Sequence, residues 1–201
     1  FRYIPYKGYI YYESEGQPEE RYYKTDITDL KIPGYYYEQS YENNSMVIKI
    51  GEAEVYVKGP LTYEVSYKVT ATEDGIESFD QFYWGLLPTD WNTSIDQGSF
   101  KVIMPGAFMS ENIEFISGAY GSTDTELVGW SIENDVVMGD TVVQVISGEI
   151  TRPLMAGEGV TLRILLPEGY FSGEKTNDWM LFAMILLILL SPAVSLTLWL
   201  L

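Results

Sequence analysis

From Trp179 to Leu201 the chain carries no charged residue, and this run divides the polypeptide before any other feature is considered. As a helix it would span about 35 Å at about 1.5 Å per residue, enough to cross a hydrocarbon core of roughly 30 Å. Trp179 and Trp199 would then stand about 30 Å apart, the spacing of aromatic anchors at two membrane interfaces. Pro192 would break a helix in water. Inside a bilayer, neighbouring helices or the flanking Ser191 and Ser195 can satisfy the backbone groups it frees. A buried core helix is the competing reading, but such helices seldom run this long without a charge. We therefore expect a single transmembrane helix at 179–201, with the lipid bilayer as the first partner, preceded by a short polar tether at 172–178.

All the charge lies on the other side of that boundary. The chain has 12 Lys and Arg against 29 Asp and Glu, a net charge of −17, and none of these residues lies beyond 178. Scarcity of Lys and Arg favours the non-cytoplasmic side, so residues 1–178 are expected outside the cell membrane. The chain starts at Phe1 with no basic and apolar leader and stops at Leu201, which suggests a processed or partial chain. There is no His and no Cys. Ser-His-Asp and Cys-His nucleophiles, His or Cys zinc sites, disulfides and imidazole switches are thereby excluded. A nucleic-acid partner is disfavoured as well, since phosphate binding needs clustered cations.

The first 171 residues read as strands. In Leu61-Thr-Tyr-Glu-Val-Ser-Tyr-Lys-Val-Thr-Ala-Thr72 apolar and polar positions alternate strictly, as in a strand with one buried face. Shorter versions recur at 46–50, 53–58, 81–84, 99–104, 127–132, 141–150 and 159–166, separated by turn signals such as Lys58-Gly-Pro60, Pro105-Gly106 and Ala156-Gly-Glu-Gly159. No stretch before Trp179 sustains an apolar stripe at helical spacing. The expected fold is all-β: one antiparallel β-sandwich domain over 1–171, with roughly nine to eleven strands in two sheets.

Most of the 17 tyrosines crowd into the first 41 residues. They suit half-buried strand positions, or an exposed aromatic surface that binds a protein or stacks on sugars. Tyr6, Tyr35, Tyr36 and Tyr37 are the first candidates for such a surface, because Pro5 and Pro33-Gly34 put them near turns. Trp84, Asp90 and Trp91 form the densest constellation in mid-chain. Their flat rings admit a glycan site, against the simpler reading of Trp84 as a core plug.

Carboxylates are the only abundant acid/base groups. Asp80, Asp90, Asp96, Asp124 and Glu133 are no better marked than the rest, and linear spacing cannot reveal a glycosidase pair. We expect no enzyme activity and no cofactor. Calcium, an oxygen-ligated ion, is the metal considered for this composition, but the acidic groups at 26–29, 73–74 and 133–140 lack EF-hand spacing and read as solvated loops. Gly118-Ala-Tyr-Gly-Ser122 has no Lys and no helix behind it, and reads as a turn.

These elements together resemble the extracytoplasmic N-terminal domain of the DUF2207 family, YciQ-like predicted bacterial membrane proteins. The resemblance is carried in order by Arg2-Tyr-Ile-Pro-Tyr-Lys7, Ile48-Lys-Ile-Gly51, Gly59-Pro-Leu-Thr-Tyr-Glu-Val-Ser-Tyr-Lys68, Phe82-Tyr-Trp84, Asp90-Trp91 with Ile95, Gly118-Ala-Tyr-Gly121, Leu154-Met-Ala-Gly-Glu-Gly-Val-Thr-Leu162 and Pro167-Glu-Gly169. It implies a β-sandwich held outside the membrane and no particular activity. Family members usually have a leader, further membrane helices and a Cys near the Gly-x-x-Gly turn, and this chain shows none of these. The expected function is non-enzymatic recognition of a protein or envelope component by an anchored β domain. Carbohydrate binding or processing, and a structural role in a membrane complex through Ser191, Ser195 and Thr197, are the alternatives.

Overall fold

The computed structural model describes residues 1–171 except positions 15, 57, 72–74 and 123. The expected tether at 172–178 and membrane helix at 179–201 lie outside the described residues. Within the described residues, regular structure consists of β-strands and one 3₁₀ turn at Ser110–Asn112, and no helix there is long and apolar enough to cross a membrane.

The strands are β1 (Arg2–Pro5), β2 (Lys7–Ser14), β3 (Gln17–Lys31), β4 (Tyr37–Glu42), β5 (Ser45–Ile50), β6 (Ser66–Ala71), β7 (Asp80–Leu87), β8 (Ser99–Met104), β9 (Ile113–Ala119), β10 (Val128–Met138), β11 (Thr141–Ile150) and β12 (Glu158–Leu166). They form four three-stranded sheets, ordered β1-β5-β4, β2-β3-β6, β10-β11-β8 and β7-β12-β9, and every pairing is antiparallel. The all-β, antiparallel expectation therefore holds. The strands are divided among four small sheets where two larger ones were expected.

The main core lies between β10-β11-β8 and β7-β12-β9. β12 alternates strictly, and its Val160, Leu162, Ile164 and Leu166 are almost fully buried. They share one cluster with Met104 of β8, Phe115 of β9 and Ile146 of β11. The rings of Phe100 and Phe115 meet across the two sheets at 5.4 Å, and Phe115 meets Trp130 at 5.5 Å. Each such aliphatic side chain contributes roughly 1.5–3 kcal/mol on leaving water.

A second, smaller core joins Ile4, Ile32, Met46 and Ile48, with Ile27, Leu30, Tyr67 and Trp84 packed around it. Trp84 links the two cores. It belongs to β7, where its register partner is Leu162 of the main core, while its ring lies 6.4 Å from that of Tyr67 in β6. The core-plug reading of Trp84 thus accounts for its position.

Two sequence expectations are corrected. Residues 61–65 alternate but have no ladder partner, and the strand begins only at Ser66. The Tyr63 ring rests on Tyr35 at 4.6 Å, whose hydroxyl donates to the Thr62 carbonyl at 3.0 Å, so side chains hold this segment where a sheet was expected. Residues 53–56 form a turn and loop, with Glu54 at φ 66° and Tyr56 almost wholly exposed. Alternation alone could not distinguish these segments from strands, because a strand also needs a neighbour to complete its hydrogen bonds.

The connection from β8 to β9 crosses between the sheets of the main core and is fastened by one buried polar side chain. Gln144 of β11 accepts the Phe108 N–H at 2.8 Å, donates to the Phe108 carbonyl at 3.3 Å, and donates to the Asn134 side-chain oxygen at 2.7 Å. Tyr170 secures the same connection from beyond β12, donating to the Gly106 carbonyl at 2.7 Å and accepting the Gly106 N–H at 2.9 Å. Replacing Gln144 with Leu preserves volume but leaves both polar groups of Phe108 without partners. We expect Gln144→Leu to lower the unfolding free energy by about 2 kcal/mol in urea titrations, and an unchanged midpoint would contradict this fastening.

Candidate functional site

The antiparallel register of β2 and β3 builds an aromatic surface. Tyr9 stands directly opposite Tyr22, and their rings meet edge to face at 5.6 Å. Tyr11, two residues further along β2, shares that face and lies opposite Glu20; it is 72% exposed. Tyr9 and Tyr22 are also exposed. The same face carries Lys7 opposite Lys24 at one end, and Glu13 opposite Pro18 at the other. Three tyrosines thus lie side by side on one sheet face, with Glu20 among them and further charge at both ends.

The reverse face is partly covered. Tyr12 contacts Phe79 at 6.0 Å and donates its hydroxyl to Glu19 at 2.7 Å. Tyr23 lies over Gly8, where a Cβ would come within 3.0 Å of its ring. Burial, and then the neighbouring Tyr83, raises the Tyr23 phenol above its ordinary pKa.

The tyrosines first singled out by sequence take other positions. Tyr35 and Tyr37 pack on the second core, and Tyr37 donates its hydroxyl to the Leu30 carbonyl at 3.1 Å. Tyr36, between them, points outward and donates to Glu38 at 3.1 Å, a bond that holds its phenol above the ordinary pKa. Tyr6 is half-buried at the break between β1 and β2, edge to face with Tyr41 at 5.2 Å and with the Lys7 ammonium 5.2 Å from its ring. These four do not join in one exposed surface. Tyr9, Tyr11 and Tyr22 were not singled out. Their signal was the spacing of Tyr9, Tyr11 and Glu13 on one side of a strand and the turn near Gly16.

A second exposed aromatic group gathers at the end of the main core opposite Phe171. Gly159 permits it: a Cβ there would lie 2.4 Å from the Leu87 carbonyl oxygen and 2.9 Å from the Thr89 nitrogen, so the chain leaving β7 crosses directly over β12. Asp90 and Trp91 follow, both exposed, and the Trp91 carbonyl accepts the Gly157 N–H at 2.9 Å. The turn after β9 arrives at the same place, because Ala119 pairs with Glu158. It carries Tyr120, which is 95% exposed. A polar groove of about 460 Å³ nearby includes Asp96, Glu149 and Arg152.

Glu158 organises this loop end. Its carboxylate pairs with both terminal nitrogens of Arg152 at 2.8 and 3.0 Å and accepts the Met155 N–H at 2.8 Å. The Arg152 bond, followed by the Met155 bond, lowers its pKa from 4.5 to about 2.

The acids considered for chemistry have structural partners in two cases: Asp80 accepts the Phe171 N–H, and Asp124 accepts the Glu126 N–H. Among the described residues no three acidic side chains are grouped so that they could hold a metal ion. Of the acidic groups weighed for calcium, 73–74 lie outside the described residues.

The fold is thus that of a β domain with two linked cores and exposed aromatic groups on one sheet face and one loop end. The profile described as the N-terminal domain of DUF2207, a predicted membrane protein, matches residues 1–166. The chain belongs to that family of predicted membrane proteins. No curated protein and no solved structure matches it.

Because the Glu158 pKa is depressed by folding, the stabilisation it provides is complete above about pH 4.5 and is lost as pH falls through about 2. A carboxyl-carbon NMR titration should place its midpoint near 2. In Arg152→Gln that midpoint should rise toward the ordinary carboxylate range; an unshifted midpoint would show that Arg152 is not its cause.

Proposed function

We propose that this chain is a membrane-anchored, non-enzymatic recognition protein whose extracytoplasmic domain binds a protein partner through the face of Tyr9, Tyr11 and Tyr22. In this reading residues 1–171 are one β-sandwich domain, 172–178 a tether and 179–201 a transmembrane helix, with the −17 charge wholly on the outer side. The observation that carries it is the contiguous placement of three exposed tyrosines on one sheet face. Tyrosine supplies large contact area with little side-chain entropy to lose, and its hydroxyl stays hydrogen-bonded at the margin of an interface. Membership of a predicted membrane protein family supports the anchor. The absence of His and Cys from the sequence supports recognition over catalysis.

A second reading places a glycan at the loop end. It is favoured by Trp91 and Tyr120 on loops that meet at Gly157 and Glu158, beside the polar groove. Stacking on sugar rings would use the two aromatic side chains, and Asp96, Glu149 and Arg152 would bond hydroxyl groups.

A photocrosslinking residue at position 11 of the full chain, in intact cells, separates the readings. We expect a discrete crosslinked protein band that weakens about tenfold when Tyr9 and Tyr22 become alanine, the loss typical of aromatic hot spots. Absence of such a band would remove the proposal. Saturable glycan binding abolished by Trp91→Ala would install the second reading. Protease added outside, once any outer layer is opened, should digest the domain; protection until the cell membrane is breached would reverse the topology.

A further inference from the structure

The end of the domain from which the chain leaves has a surface unlike either aromatic group. β8 makes its last pair at Met104 with Gln144, whereas the β10-β11 hairpin continues to its turn at Gly139-Asp140. Three residues on each strand therefore project roughly 10 Å past the neighbouring strand at about 3.3 Å per residue. Gly139, at φ 61°, occupies the first turn position as a two-residue hairpin turn requires.

The projecting part is apolar on both faces. Val136 and Val143 turn toward the body of the protein, while Val137 and Val142 stand opposite each other facing out, 72% and 56% exposed. Neither of the outward pair belongs to a core cluster. Met138 is exposed beside them, and so are Met109 in the β8-β9 connection and Phe171. The bonds of Gln144 and Tyr170 hold these elements together at one end: Asn134 and Gln144 at the hairpin base, Phe108 beside Met109, and Tyr170 beside Phe171. Between the β8-β9 connection and the end of β12 opens a groove of about 580 Å³ whose walls include Phe108, Met109, Leu166 and Pro167.

We propose that this exit end is a lipid-contacting surface, with Val137, Met138 and Val142 seated in the interfacial layer of the same bilayer that anchors the chain. The proposal rests on the membrane-anchored reading above. Its occupant follows from where the chain goes next: the charge-free run begins at Trp179, and the seven residues from 172 to 178 can separate it from Phe171 by no more than roughly 29 Å when fully extended. The end that carries the exposed valines and methionines is the end that the anchor would keep at the membrane. Asp140 at the turn stays at the headgroup level, so the hairpin meets the bilayer side-on with the face of Val137 and Val142 against it. Glu133, Asp135 and the net charge of −17 favour a zwitterionic surface over an anionic one.

The test uses the full chain in phosphatidylcholine vesicles. Because the sequence contains no cysteine, Val137→Cys, Val142→Cys and, as a control at the opposite end, Tyr120→Cys each accept one environment-sensitive fluorophore. Lipids bearing a nitroxide near the headgroup should quench positions 137 and 142 by about half and position 120 by less than about a tenth, as expected for side chains roughly 5–10 Å into the interface. Quenching at 137 and 142 no greater than at 120 overturns the proposal. So does a blue-shifted but unquenched signal, which would mean that protein, either a second copy or the chain's own 172–178, covers the tip. Failure of the labelled chain to float with the vesicles would instead remove the anchored reading, and this inference with it. The two valine positions act as independent checks, so a misfolded variant at one leaves the other decisive.

Discussion

The structure depends on one strand's alternation. β12 places Val160, Leu162, Ile164 and Leu166 on a single face, nearly without solvent contact, and pairs on both edges, with β7 and with β9. The opposite sheet, β10-β11-β8, has its own apolar face to cover, and the two close on each other through the β12 side chains and the Phe100, Phe115 and Trp130 rings. The strand's other face can be polar because it meets water, and Arg163 there bonds Gln81 and Glu114 on its two neighbours. The loop end is fixed where β12 begins, at Glu158 and Gly159, and the exit end where it finishes, at Leu166 and Tyr170.

Much of this main core could be read from sequence. The runs at 81–84, 99–104, 127–132, 141–150 and 159–166 each fall within or closely overlap a strand of that core, because each must bury one face and expose the other. The N-terminal third was less legible. β3 is exposed through its first six residues and alternates in burial only from Tyr22 to Thr28, and β1, β2 and β4 are strands whose tyrosines can face either way. At 61–65 the reverse held: the pattern of a strand was present without a neighbour to pair with.

The candidate surface was legible in kind and not in place. Tyrosine excess pointed to the N-terminal region, and Trp91 to the mid-chain loop, where both aromatic groups do occur. Proximity to a turn was the wrong guide within Tyr35-Tyr36-Tyr37, since the chain leaving the turn enters β4 only at Tyr37 and packs Tyr35 and Tyr37 on the second core, leaving only Tyr36 outward. The face of Tyr9, Tyr11 and Tyr22 arises from register across a hairpin, which depends on which residues stand opposite one another. Tyr120 emerges beside Trp91 through the Ala119 and Glu158 pairing, again a relation across strands.

The position of β12 also decides how the domain bears load. It is the last strand among the described residues, and it is central in its sheet. Tension from the C-terminal side enters through Tyr170 and Leu166 and runs along the strand axis, perpendicular to the ladder hydrogen bonds on both edges. Those bonds are strained in shear together, whereas a pull directed across the strands would open them one after another. A domain arranged in this way meets a pull from its C-terminal side with a strand paired along both edges, and its resistance is set by the rate at which that whole ladder fails at once.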